Sequence, residues 1–110
     1  MTKRIAQVNE LIRAKVGRII LEELDMPTSS FATIIKVDTA TDLKNSTIYI
    51  SVMPDNRSQS TFKYIFSNRN RIQHLLAQQL SMKFTPKIHF KLDYTERAAA
   101  KIEEVLDNLS

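Results

Sequence analysis

The 110-residue chain has no cysteine, a single glycine (Gly17) and no tryptophan. Without cysteine there is no disulfide framework and no thiolate chemistry, which fits a reducing compartment. A phosphate-binding P-loop and a dinucleotide fingerprint both need several glycines, because the backbone must approach phosphate closely. One glycine excludes both. Two histidines, His74 and His89, lie on different expected elements, and with no cysteine beside them they argue against a dedicated transition-metal site. No Ser-His-Asp spacing stands out, although triads are spatial arrangements. No apolar run approaches the roughly 20 residues of a membrane span. The opening Met1-Thr2-Lys3-Arg4 runs straight into an amphipathic pattern without an apolar h-region, unlike a secretory signal. The expectation is a soluble, cytoplasmic chain of one domain, with no metal and no cofactor.

One absence is local. From Asn56 to Leu92 there is no Asp or Glu, while the same 37 residues hold Arg57, Lys63, Arg69, Arg71, Lys83, Lys87 and Lys91. The chain carries a net charge of +4. This window supplies +7 and the rest, with nine bases and twelve acids, sums to −3. Such polarisation concentrates polyanions near one surface and steers their approach. Nucleic acid is the commonest partner of that kind.

Ile5, Val8, Ile12, Val16 and Ile19 recur every three or four positions, which predicts a helix over residues 3–24 with Thr2 as its cap. Arg4, Lys15 and Arg18 form a basic flank on it. Asp25 to Ser30 is a breaker and loop. Ala32 to Val37 reads as a strand. After a short polar connection from Thr39 to Lys44, Thr47 to Met53 alternates, with Ile48, Ile50 and Val52 on one face. A connection this short favours an antiparallel pair. Pro54 to Gln59 reads as a polar loop.

Residues 60–80 are helical by period, with Ser60 a candidate cap. Phe62, Ile65, Phe66, Ile72, Leu76 and Leu80 share one arc. A straight helix would put Arg69 in the middle of that arc, where an unpaired guanidinium is very costly. A broken turn at Asn68-Arg69-Asn70 avoids this, and Asn is a poor helix former that tolerates left-handed backbone. Residues 86–93 alternate again, with Ile88, Phe90 and Leu92 inward and Lys87, His89 and Lys91 outward. A last helix starts near Glu96, with Asp93 as its cap. The order α-β-β-α-(kink)-α-β-α is an α+β domain with helices on a three-stranded sheet.

Arg69 could cap a helix end or pair with a distant acid. With no acid in its neighbourhood, contact with a phosphate from the broken turn is the preferred reading. Asn68 and Asn70 serve turn chemistry and could also touch RNA. Lys63, Arg71 and His74 fall on the polar side of the long helix and are expected to form one patch with Arg69. Lys87, His89 and Lys91 are either a second RNA-contacting row or an edge strand protected by lysines against aggregation. Arg57 and Lys83, in or near loops, complete the candidate set. Phe62, Phe66, Phe84 and Phe90 are assigned to the core rather than to base stacking. Tyr49 and Tyr64 are left open. The acids Glu22, Glu23 and Asp25 stand near a helix C-terminus, where negative charge is mildly unfavourable.

The order and spacing of these segments resemble the ribosome-binding factor A family. Arg4-Ile5-Ala6-Gln7-Val8-Asn9-Glu10-Leu11-Ile12 is similar to its opening helix. Ile19 to Pro27 is similar to that helix's close. Val37 to Lys44, with Asp42-Leu43, resembles its inter-strand segment, and Thr47 to Val52 its second strand. Ile72-Gln73-His74-Leu75-Leu76 and Met82 to Asp93 resemble its third helix and strand. The resemblance implies a type II KH-like domain spanning 1–110, with a three-stranded mixed sheet. Classical KH domains clamp nucleic-acid backbone with a Gly-Xaa-Xaa-Gly loop. This family is known instead for a helix interrupted at an Ala-Xaa-Gly kink, and Asn68-Arg69-Asn70 departs from it. Many relatives also carry a charged tail, which a chain ending at Ser110 is expected to lack. The resemblance further implies a non-enzymatic monomer that binds the free small (30S) ribosomal subunit. It would assist late maturation and 5′-end processing of 16S rRNA and support growth in the cold. A generic KH-like module for messenger or small RNA, and a protein-interaction domain with a basic face, are the alternatives. A membrane-surface role for the first helix lacks a Trp or Phe to insert.

Overall fold

The structure, a computed structural model, describes residues 2–27 and 29–93. The helix expected from Glu96, and the capping role of Asp93, lie outside them. Helix α1 (Thr2–Glu23) is followed by strands β1 (Phe31–Thr39) and β2 (Asn45–Met53). A 3-10 turn (Asp55–Arg57) then leads into α2 (Ser58–Ser67), α3 (Arg69–Gln79) and β3 (Lys87–Leu92). No helix among the described residues is long and apolar enough to cross a membrane.

The sheet order is β1-β2-β3. β1 runs antiparallel to β2, with Ile34 opposite Ile50 and Val37 opposite Ile48, and a bulge between Ile34 and Lys36. β2 runs parallel to β3, with Ile48 opposite Phe90 and Ile50 opposite Leu92. The sheet is mixed, and β2 is its centre. The alternation of Ile48, Ile50 and Val52 puts all three on one face, where each is fully buried. The helices cover that same face. α1 contributes Ile12, Val16 and Ile19, and α2 and α3 contribute Ile65, Ile72 and Leu76. Ile34, Val37, Ile88 and Phe90 also belong to the core. Burying each such side chain stabilises the fold by about 1.5–3 kcal/mol before entropy is counted.

Polar groups inside this layer are matched. The Thr39 and Ser46 hydroxyls meet at 2.8 Å. The Asn9 Oδ1 accepts the Thr39 N–H at 3.0 Å and ties α1 to the end of β1. Among the described residues, no buried side-chain polar atom lacks a hydrogen-bond partner.

Several boundaries differ from the sequence reading. Both β1 and β2 are longer than expected, and the stretch expected as the Pro54 to Gln59 loop is already turning. Ser60 lies inside α2, and its hydroxyl donates to the Arg57 carbonyl at 3.1 Å, so it caps nothing. Thr2 is the first helical residue of α1, not the residue before it. Phe66 and Phe84 are not core residues: they are 42% and 76% exposed. The core expectation holds for Phe90, and Phe62 is half-buried beside the core.

The β1–β2 connection is a tight turn. The Leu43 N–H donates to the Ala40 carbonyl at 2.9 Å, and the Lys44 N–H to the Asp42 Oδ1 at 2.9 Å. Leu43 adopts φ of +63°, a left-handed conformation that costs a side-chain-bearing residue roughly 1–2 kcal/mol. Packing of the half-buried Leu43 side chain against the core offsets that cost.

Gly17 has no positive φ, and among the described residues a Cβ added there would meet only the Ile34 Cδ1, at an ordinary 3.8 Å. Gly17→Ala should therefore raise stability by about 0.5–1 kcal/mol through helix propensity, seen as a higher urea midpoint at unchanged slope. In the same assay Ile72→Ala, at a fully buried site, should lower stability by about 2–5 kcal/mol.

Candidate nucleic-acid interface

The break in the long helix is one residue wide. Asn68 has φ of −97° and ψ of 11°, between α2 and α3. Its side-chain amide donates to the Tyr64 carbonyl at 2.9 Å, and its N–H to the Ile65 carbonyl at 3.0 Å. Its own carbonyl accepts the Ile72 N–H at 3.0 Å, which starts α3. The left-handed backbone expected of asparagine is not used, and Asn70 lies inside α3. The break turns Arg69 outward, as the burial argument requires. Its guanidinium lies 4.3 Å from the Phe66 ring centroid and donates to the Phe66 carbonyl at 3.1 Å. Arg69 thus caps α2 and remains exposed.

All seven cations of the acid-free stretch are exposed, as are both histidines. They do not share one surface. Lys63, Arg69, Asn70 and His74 lie on the solvent side of α2 and α3, opposite the buried Ile65, Ile72 and Leu76. Lys87, His89 and Lys91 alternate with the buried Ile88 and Phe90, so they occupy the sheet face away from the helices. The two groups sit on opposite sides of a two-layer molecule. Lys83 lies in the α3–β3 connection and Arg57 at the end of the 3-10 turn.

Arg71, expected in the same patch, is exposed but bound to the end of α1. Its guanidinium donates to the Glu23 carbonyl at 2.9 Å and pairs with the Glu23 carboxylate at 3.3 Å. Arg18 pairs with Glu22 at 3.0 Å. Glu22 and Glu23 therefore each have a cation, which offsets their unfavourable place at a helix C-terminus. Tyr64 joins the same junction, its hydroxyl accepting the Asp25 N–H at 3.0 Å. The α1 terminus is thereby held against the α2–α3 break.

On the open sheet face, register brings together residues that the sequence separates. Lys36, Tyr49 and Lys91 form one row across the three strands. The Lys36 ammonium sits 4.7 Å over the Tyr49 ring. Asp38, Thr47 and His89 form the next row, and Asn45 with Lys87 the one after. The His89 Nε2 and Asn45 Oδ1 lie 2.8 Å apart. Lys36 was missed by sequence reasoning because it stands outside the acid-free stretch. Its partner row depends on the β1 bulge, which has no local signature.

Gln73 was likewise missed as a positioning residue. From α3 its amide nitrogen donates to the Pro86 carbonyl at 3.0 Å, and its oxygen accepts the Ile88 N–H at 2.8 Å. One side chain thus stands in for a neighbouring strand at the free edge of β3 and fixes the strand that carries Lys87, His89 and Lys91. No cluster of metal-ligating side chains occurs among the described residues. Gln73→Leu should leave both backbone groups unpaired, cost about 1–3 kcal/mol, and speed hydrogen exchange at the Ile88 amide more than at the β1–β2 ladder.

Comparison with known proteins agrees with this architecture. The family model of ribosome-binding factor A matches residues 4–106. Ribosome-binding factor A of Geobacter sulfurreducens is 30% identical over 99% of this chain and 93% of its own. That of Caldanaerobacter subterraneus is 28% identical over 100% and 92%. The crystal structure of ribosome-binding factor A from Thermus thermophilus superposes with a TM-score of 0.64 at 15% identity, covering 80% of this chain and 94% of that one. A Thermus thermophilus model fitted into a cryo-electron microscopy map of a 30S complex superposes at 0.61 with 16% identity, over 82% and 91%. The shared fold is the KH-like α+β fold, and the chain belongs to the ribosome-binding factor A family.

Proposed function

We propose that this chain is a non-enzymatic ribosome assembly factor that binds the free small (30S) subunit as a monomer. In this reading it assists late maturation and 5′-end processing of 16S rRNA in the cytoplasm. The observation that carries the proposal is that all seven cations of an acid-free stretch are exposed in a member of this family. The Thermus thermophilus relative fitted into a 30S complex supports the choice of partner.

Affinity would come mainly from phosphate contacts, with little base readout. Two cationic faces on opposite sides suit a wedge between RNA segments better than a plate lying on one. On the helical side Lys63, Arg69, Asn70 and His74 would meet one segment, with Asn68 holding the break open. On the sheet side Lys87, His89 and Lys91, joined by Lys36, would meet another. Arg57 and Lys83 extend the contact at the periphery. Arg71 would act indirectly, by holding α1 against the break. Bridging two segments favours whichever rRNA conformation presents both at the right separation, a bias set by differential affinity. RNA pairing strengthens on cooling and traps wrong conformers for longer, which is why such a factor would matter most in the cold.

Sedimentation of the tagged protein through a lysate gradient should place it with free small subunits rather than assembled ribosomes. If about five phosphates are neutralised, log affinity for immature subunits should fall with log salt at a slope of roughly −3.5 to −4.5. Charge reversal on one face alone (K63E/R69E, or K87E/K91E) should weaken binding at least roughly tenfold and flatten the salt slope by about 1 per lost contact. A wedge requires both pairs to matter. Unchanged binding in either pair would remove that face from the interface.

A further inference from the structure

A third feature lies at the end of the molecule where the N-terminus of α1, the β1–β2 turn and the α3–β3 connection converge. These three segments line an open groove of about 630 Å³. Arg4 comes from α1, Asp42 and Lys44 from the turn, and Met82, Lys83 and Phe84 from the connection. Among the described residues three cations and one carboxylate line it, and that carboxylate accepts the Lys44 N–H through its Oδ1. The volume falls in the range of ligand clefts, about 300–1,000 Å³.

Phe84 is the unusual element. It is 76% exposed, although a phenylalanine gains most from burial. The Lys83 ammonium lies over one face of its ring, 5.7 Å from the centroid. Met82 and Leu43 also line the groove and are half-buried against the core. An exposed aromatic face flanked by cations is the arrangement that holds single-stranded nucleic acid, the base stacking on the ring and the phosphates meeting the charges. A duplex cannot use it, because its bases are already stacked.

We propose that this groove receives an unpaired nucleotide of RNA, with its base stacked on Phe84 and its flanking phosphates held by Arg4, Lys44 and Lys83. The proposal rests on the RNA-binding reading above and adds to it a site for single-stranded RNA. Charge decides the class of occupant: among the described residues three cations to one engaged carboxylate select an anion, and the exposed ring selects one with a planar face.

The absence of tryptophan from the chain makes a direct test available, because F84W introduces a single emitter at an exposed position. A short unstructured oligoribonucleotide should quench its emission strongly, and the same strand annealed to its complement should not. R4E and K83E, introduced separately into F84W, should each weaken that titration. F84A should lower affinity for the oligoribonucleotide roughly tenfold, in keeping with the loss of one stacked base. Unquenched emission together with unchanged F84A affinity, in a protein that still binds immature small subunits, would overturn this site and leave the two-faced wedge standing. Quenching by an acidic peptide but not by RNA would overturn it in favour of a protein occupant. Failure of the wild-type protein to bind small-subunit RNA at all would overturn the wedge and this site together.

Discussion

Burial of Ile48, Ile50 and Val52 under a single layer of helices is the constraint on which the rest of this structure depends. β2 is the central strand, so its inward face sets the inward face of both neighbours through register. A strand's side chains alternate strictly, so the residues between the buried ones point to the other face. That other face carries Lys36, Lys87, His89 and Lys91. The helices obey the same logic from the opposite side. Ile65, Ile72 and Leu76 point to the sheet, which sends Lys63, Asn70 and His74 outward. The two cationic faces are consequences of one hydrophobic layer.

The helix break follows from the same requirement. Ile65 and Ile72 must both reach the core, and an unbroken helix would carry Arg69 in with them. Interrupting the helix at Asn68 lets α2 and α3 each present an apolar side while Arg69 leaves. Where the family is known for an Ala-Xaa-Gly kink, this chain uses a side-chain amide bonded to the Tyr64 carbonyl. The same tyrosine receives the Asp25 N–H, and Arg71 reaches back to Glu23. The break is thus also the point where α1 is fastened, and a shift at one would be felt at the other.

Long-range partners explain why the candidate site was only partly legible. Arg69 was identified from periodicity because the conflict it resolves is local: one charged residue in an apolar arc. The pairing of Arg71 is not legible in this way, because its acid lies 48 residues away, on another helix. Phe66 was assigned inward because it shares the arc of Ile65, yet the break ends that arc and leaves the ring as a platform for the Arg69 guanidinium. Phe84 stands in a segment with no periodicity, where hydrophobicity alone suggests burial and cannot show an open groove. Gln73 carries no charge and no pattern, so only coordinates reveal its bond to β3.

By itself the sequence determined the type and order of the elements through β3, the antiparallel pairing of the first two strands, the need for a break at Arg69, and the outward direction of Lys87, His89 and Lys91. Each follows from side-chain period or turn length, which are properties of neighbouring residues. Tertiary structure alone decided that the cations divide between two opposite faces, that Arg71 fastens α1, and that Arg4, Lys44 and Lys83 line one groove with Phe84. Those facts depend on which segments meet, and segments far apart in the chain leave no local trace of their meeting. The acid-free stretch is continuous in sequence; folding around a buried sheet is what distributes it in space.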